Sequence, residues 1–209
     1  CIPAGFALCT MVLTSNLVLG QDYPSKPVRI VPGSPGGGTD LNSRIVAEGI
    51  TSAFSQTAIV DNRPGAVGPG GIVYRSPADG YTMALDGSSF WIGKLLGELP
   101  YDPVRDYSPV SIVSGSPSVL VVHPSLAVNS VQDLIALGKS KPHTLNYSVG
   151  NAGSGPWLAS ELFRIMTKLD IVRISYKGGN TPLNGLLVGD VQMSLAAAGA
   201  TTPLLKSGK

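Results

Sequence analysis

The sequence predicts an open α/β architecture in two lobes of similar type. Three observations carry that expectation. Short apolar runs alternate with amphipathic stretches from residue 28 onward. The alternation is interrupted once, by the proline- and charge-rich "LPYDPVRDYSPV" at 99–110. Each half holds a glycine loop between an expected strand and an expected helix: "SPGGGTD" at 34–40 and "GNAGSGP" at 150–156. Strands alternating with helices build a sheet covered by helices, and right-handed crossovers make such a sheet parallel.

In the first half, "VRIV" (28–31) reads as a strand. A helix follows over 40–54, because Leu41, Ile45, Val46, Ile50 and Phe54 recur at three- and four-residue spacing. "TAIVDNRPG" is a strand ending in a turn, "GPGGIVYRSPADG" a short glycine-led helix, and "YTMALDGSS" a third strand. The second half opens with strands in "SIVSG" and "SVLVVHP". Its helix at 130–142 has Ser130 as N-cap, Asp133 three residues on, and Pro142 as a stop. Strand "TLNYSV", helix "WLASELFRIMTKL", strand "IVRISY", helix "TPLNGLLVG" and strand "VQMSLAAAG" complete the alternation. The final "TTPLLKSGK" reads as a helix entering a turn rather than a natural terminus, so a shortened chain is expected.

Composition bounds the function classes. The 209 residues suit one or two domains, and 43% hydrophobic residues suffice for a core. Only 13% are charged and the net charge is +2, with no cluster of Lys and Arg, so nucleic acid is not an expected partner. "CIPAGFALCTMVLTSNLVLG" has no charged residue. It reads as an incomplete secretory signal peptide over 1–21, in preference to a membrane anchor or a core helix. Both cysteines, Cys1 and Cys9, lie inside it, so the exported chain would carry no disulfide.

The glycine loops are the main chemical feature. Glycines let the backbone adopt positive φ and gather its N–H groups. Thr39 or Asp40 is expected to cap the first helix, and Ser154 the helix after the second loop. A helix N-terminus adds partial positive charge, so each loop is an anion cradle of backbone donors. The plain alternative is a tight turn. No dinucleotide, P-loop or nucleophile-elbow pattern fits these glycines. His123 and His143 have no supporting constellation and read as solvated or capping residues. No residues have metal-ligand spacing, and no cofactor is expected. Asp102 and Asp106 read as local ion pairing in the linker. Tyr176 and Lys177 either line a cleft or form a turn.

"YPSKPVRIVPGSPGGGTDLNSRIVAE", "VDNRPGAVGPGG", "SPADGYTMAL", "LPYDPVRDYSPVS", "LNYSVGNAGSGPWLASELF", "ISYKGG" and "LLVGDVQMSLA" occur in this order. Together they resemble the substrate-binding proteins of tripartite tricarboxylate transporters, the Bug-type periplasmic receptors, from about Tyr23 to Lys209. The resemblance implies a two-lobed, periplasmic-binding-protein-like Venus-flytrap fold. Lobe I would span 22–103 and lobe II 104–209, with a C-terminal return to lobe I missing and apolar surface left uncovered. It implies a non-catalytic, monomeric, periplasmic receptor that captures a small carboxylate and delivers it to membrane subunits of the transporter. Carried over by position, the ligand-binding residues are Ser34, Gly36, Gly37, Thr39 and Asp40 in the first loop. Gly87, Ser88 and Ser89 follow the third strand, and Ser148, Gly150, Asn151, Ser154 and Gly155 belong to the second-lobe loop. Tyr176 stands on the hinge side of the cleft.

Two departures are visible. "IVPGSPGGG" is one residue shorter than usual before the first loop, which bears on how Ser34 faces. Ala196 stands where many members place an Asp able to meet a ligand amino group, which argues against amino acids. The competing readings are a small α/β hydrolase acting on an anionic substrate, which would need a nucleophile beside a base, and an inactive gene fragment.

Overall fold

The computed structural model describes residues 23–208 apart from Ala66, Gly178 and Gly179. The expected signal peptide therefore lies outside the described residues. Among those described, no helix is long and apolar enough to cross a membrane.

The first sheet has the order β2-β1-β3, with β1 (Val28–Val31) central and parallel to both β2 (Ala58–Val60) and β3 (Thr82–Ala84). A central parallel strand is covered on both faces, which is why Val28, Ile30 and Val31 are all buried. The chain leaves β1 through α1 (Gly38–Phe54), reaches β2, and crosses back through α2 (Gly68–Tyr74) to β3. Its direction of travel reverses, so right-handed crossovers put α1 and α2 on opposite faces. The reversal also makes a switch point between β1 and β3, and the loops leaving those strands flank it. Ligands in open α/β sheets bind at such a place.

The helix expected at 40–54 is present, with its first turn starting at Gly38. Its packing differs from the expectation raised by its periodicity. Ser43 and Ala47 are buried, whereas Leu41, Ile45 and Phe54 are exposed. Leu41, Ile45 and Phe54 leave one side of the apolar stripe uncovered among the described residues, Val46 and Ile50 are half-buried, and a face of small residues is the most buried. Neither Thr39 nor Asp40 is the N-cap: Gly37 holds that position and no side chain caps the helix.

After β3 comes α3 (Ser88–Leu96), a helix that the sequence reading did not assign. Aromatic residues, Ile92 and Gly93 weaken its intrinsic propensity; tertiary contact supplies the rest. Phe90 is buried, with its ring stacked on Tyr101 and edge-on to Tyr107. Tyr107 also donates to the Gly70 carbonyl at 2.7 Å, so the linker packs back on the first lobe. In the linker Asp102 pairs with Lys94 and Asp106 with Arg105, the expected local ion pairing. The strand expected in "SIVSG" is absent: 111–115 form no strand, and Ile112 is 92% exposed with no strand beside it among the described residues.

The second sheet has the order β4-β7-β5-β6. It comprises β4 (Ser118–Val122), β5 (Asn146–Val149), β6 (Val172–Ser175) and β7 (Met193–Ala197). Strands β5, β6 and β7 run parallel, while β4 runs antiparallel to β7. Period-two alternation divides the faces. Tyr147, Val149 and Met193 pack with Leu134 of α4 (Val131–Ser140) and with Trp157 and Phe163 of α5 (Gly155–Thr167). On the other face, Ala196, Val121 and Ile174 pack with Leu183 and Leu186 of α6 (Thr181–Leu187) and Leu204 of α7 (Ala198–Lys206). Ala196 thus sits in an apolar cluster. The path from β5 to β6 and back to β7 makes a second switch point, beside the loop that leaves β5.

Candidate functional site: the junction of three loops

The loops at the two switch points meet. Ser88 Oγ, in the first turn of α3, donates to the Gly153 carbonyl at 2.7 Å. Asn151 Nδ2 donates to Ser34 Oγ at 3.4 Å, across 117 residues of chain. Gly153 has φ +78°, and a Cβ there would stand 3.2 Å from Ser89 Cα. The N-termini of α1, α3 and α5 therefore come to one junction. Their first-turn N–H groups have no acceptor within their own helices.

In the loop after β1, Gly36 adopts φ +74°, a left-handed conformation that glycine takes without strain. Its N–H donates to Asp40 Oδ2 at 3.0 Å. Asp40 is 6% exposed, and its Oδ1 accepts from Asn62 Nδ2 at 3.0 Å and from Arg44 Nη2 at 3.1 Å. The Gly36 N–H, helped by Asn62 and Arg44 and opposed by burial, holds the Asp40 carboxyl below its ordinary range.

The loop after β3 follows a similar plan. The Gly87 N–H donates to Asp86 Oδ1 at 2.8 Å, and the Ser89 hydroxyl donates to the same oxygen at 3.2 Å. Here the balance reverses. Burial pushes the Asp86 carboxyl up, and the two donors only partly oppose it. The second-lobe loop carries no acidic residue. Ser154 caps α5 as expected, accepting the Trp157 N–H at 3.4 Å.

Ser34, Gly36, Gly37, Thr39, Asp40, Gly87, Ser88, Ser89, Gly150, Asn151, Ser154 and Gly155 all lie in the three loops or the first turns that leave them. Two expected residues stand apart. Ser148 is fully buried one layer below its loop, with its hydroxyl unpartnered, opposite Ser194 in register. The Tyr176 ring packs over Gly185 of α6, where a Cβ would collide with it. Both departures follow from strand alternation: Ser148 and Ile174 pair on the face that α6 covers.

Asn62, Asp86 and Gly153, which contact the junction loops, were not among the expected residues. Asn62 read only as part of a turn, although its "VDNRPG" follows a strand as "PGGGTD" does. Asp86 directly precedes Gly87, and that adjacency was the available signal. The histidines have local partners that the sequence reading did not anticipate: His143 Nε2 lies 3.1 Å from Asp170, and His123 Nδ1 2.8 Å from Ser125 Oγ. Neither reaches the junction loops. Among the described residues, no group of three or more His, Cys, Asp or Glu could hold a metal ion.

The family model of the tripartite tricarboxylate transporter family receptor matches residues 42–209, and the chain belongs to that family. A relative, BugT of Bordetella pertussis, is 36% identical over 200 residues, covering 91% of this chain and 60% of its own. An R. palustris protein solved with adipate superposes with a TM-score of 0.81 at 34% identity, over 90% of this chain and 64% of that one. The periplasmic binding protein BugD superposes with a TM-score of 0.77 at 25% identity, over 90% and 64%. The fold is thus the two-lobed α/β fold of these binding proteins, and the chain spans about two thirds or less of their length.

Proposed function

We propose that the protein is a periplasmic receptor that captures a small carboxylate at the junction of its three loops and delivers it to membrane subunits of a tripartite transporter. The observation that carries this reading is the convergence of three helix N-termini on contacts between Ser34 and Asn151 and between Ser88 and Gly153. Oriented backbone N–H groups with partial positive charge favour an anion there. Family membership supports the receptor role. The adipate held by a 34% identical relative supports an organic acid as the ligand class.

The carboxylate oxygens would accept N–H groups from the first turn of α1 at Gly38 and Thr39, from α3 at Ser88 and Ser89, and from Gly155 of α5. Gly37, Gly150 and Asn151 shape the walls, Ser34 keeps a hydroxyl proton for the ligand while accepting from Asn151, and Ser88 ties α3 to the Gly153 carbonyl. Ser148 and Tyr176 support the loops from below.

The test is thermal unfolding of the chain with a panel of adipate, malate, citrate and aromatic acids. A ligand bound only by the folded state adds about 2.7 kcal/mol of stability at a hundred times its Kd. One acid class should raise the midpoint. A midpoint that none of them moves overturns the reading.

A further inference from the structure

The loop after β1 is held by contacts that lie beneath its ligand-facing surface, and one side chain ties them together. Asn62 is half-buried and follows β2. Its Nδ2 donates to Asp40 Oδ1 at 3.0 Å and to the Gly33 carbonyl at 3.3 Å. Gly33 begins the loop and Asp40 sits in the first turn of α1, so one amide joins both ends of the segment. Asp40 passes the restraint to the middle of the loop by accepting the Gly36 N–H.

Asn62 is itself anchored. The Asp61 N–H donates to the Ile30 carbonyl and the Arg63 N–H to the Pro32 carbonyl, both at 2.9 Å. These bonds continue the β1–β2 ladder on either side of it. Asp61 is engaged by Arg29 and Arg63, and Asp40 by Arg44, so each carboxylate near the amide has a guanidinium partner.

We propose that Asn62 is a positioning residue for the first-lobe ligand loop, acting through Asp40; its consequence for a ligand rests on the carboxylate reading above. The amide is suited to the place because it carries two N–H donors, one for a carbonyl and one for a carboxylate. A carboxylate at the same position has no donor and would face Asp40 with like charge. The lock also divides the loop's donors. The Gly36 N–H is turned inward to Asp40, leaving the first-turn N–H groups at Gly38 and Thr39 to meet an anion.

The test uses Asn62→Asp, Asp40→Asn and the double variant. The first replaces a donor with a repelling acceptor. The double variant exchanges the donor and acceptor roles between positions 40 and 62 and leaves the Gly33 carbonyl without its donor. In the unliganded full chain, the solvent-exchange rate of the Gly36 amide is read by NMR. It should rise about tenfold in Asn62→Asp and fall partway back toward wild type in the double variant, which restores the contact with residue 40 and not the one with Gly33. Amides in the middle of α1 should not change. An unchanged Gly36 rate in Asn62→Asp, a rise shared by all of α1, or no recovery in the double variant overturns the proposal.

Isothermal titration with adipate and malate supplies the ligand arm. Asn62→Asp should weaken binding by roughly tenfold, the loss of about one charge-assisted hydrogen bond, and the double variant should recover part of that loss. Equal affinity in Asn62→Asp and wild type overturns the role in binding. If wild type binds neither acid, the carboxylate reading falls, and the exchange rates still decide whether Asn62 holds the loop.

Discussion

Gly153 has positive φ, and its Cα lies against α3 in the other lobe. An added Cβ would stand 3.0 Å from Leu96 Cδ1, 3.2 Å from Ser89 Cα and 3.3 Å from Ile92 Cγ1. Gly153→Ala is therefore expected to cost about 1–3 kcal/mol, from backbone strain and overpacking together. Thermal unfolding reads that loss, and ligand titration should show weaker binding because the strain falls on the contact between the lobes. Asp86 makes the opposite prediction. Its folded carboxyl titrates above its ordinary value, chiefly because burial disfavours the charge. That penalty is full above the raised folded value and vanishes below the unfolded one. Asp86→Asn keeps an acceptor for the Gly87 N–H and should raise the midpoint at neutral pH, the gain shrinking as the pH falls. A gain that does not depend on pH would refute the assignment. Neither effect was legible in the residues alone. The three-glycine run read as a strand-to-helix loop of backbone donors, but what Gly153 and Asp86 contact depends on neighbours supplied by the fold.

At the scale of the elements, capping and charge hubs decide how firmly the loops are presented. Ser130 accepts the Asp133 N–H at 3.1 Å while Asp133 accepts the Asn129 N–H, and this reciprocal pair opens α4. Ser130→Ala should cost about 1 kcal/mol, read by denaturant unfolding. In α5, Glu161 joins three elements. It accepts from Tyr147 of β5 at 2.8 Å, Arg164 of α5 at 3.0 Å and Arg173 of β6 at 3.1 Å. Burial alone would raise its carboxyl, but these three donors outweigh it and hold the group below its ordinary value of 4.5. Donating to Glu161 and burial together push the Tyr147 phenol up to about 12, with burial the larger cause. Glu161→Gln should cost about 1–2 kcal/mol at neutral pH, since half-exposed arginines recover part of the loss in water. The helical spacing of α5 and the cap at Ser154 were plain in the sequence. The hub was not, because two of its three partners come from strands 12 and 14 residues away.

For the whole molecule, the depressed carboxylates set the response to acid. The carboxyls of Asp40, Asp61 and Glu161 are all lowered in the folded state. A lowered folded value contributes stability that is present above the unfolded value and lost as the pH falls through the folded one. Ordinary values of 3.8 for the aspartates and 4.5 for Glu161 place the onset of that loss. The unfolding midpoint should fall as the pH drops below about 5, and Glu161→Gln should flatten the upper part of the curve. A midpoint constant down to pH 3 would refute this. Two switch points facing one another is also a property of the whole molecule. It brings together loops separated by 65 residues in one contact and 117 in the other.

The alternation of apolar runs, the glycine loops and the capping serines determined, without coordinates, an α/β chain in two lobes with backbone donors at its strand ends. Those features are local: period, propensity and turn chemistry act within a few residues. The tertiary structure decided which face of α1 meets the sheet. It left Leu41, Ile45 and Phe54 exposed while burying Ser43 and Ala47. It formed α3 from a weak helical sequence by packing Phe90 against Tyr101 and Tyr107. It turned the Gly36 N–H and Asp40 toward each other rather than outward, and drew Asn62 in to hold them. Each of these depends on which distant residue lies opposite, and periodicity carries no record of that.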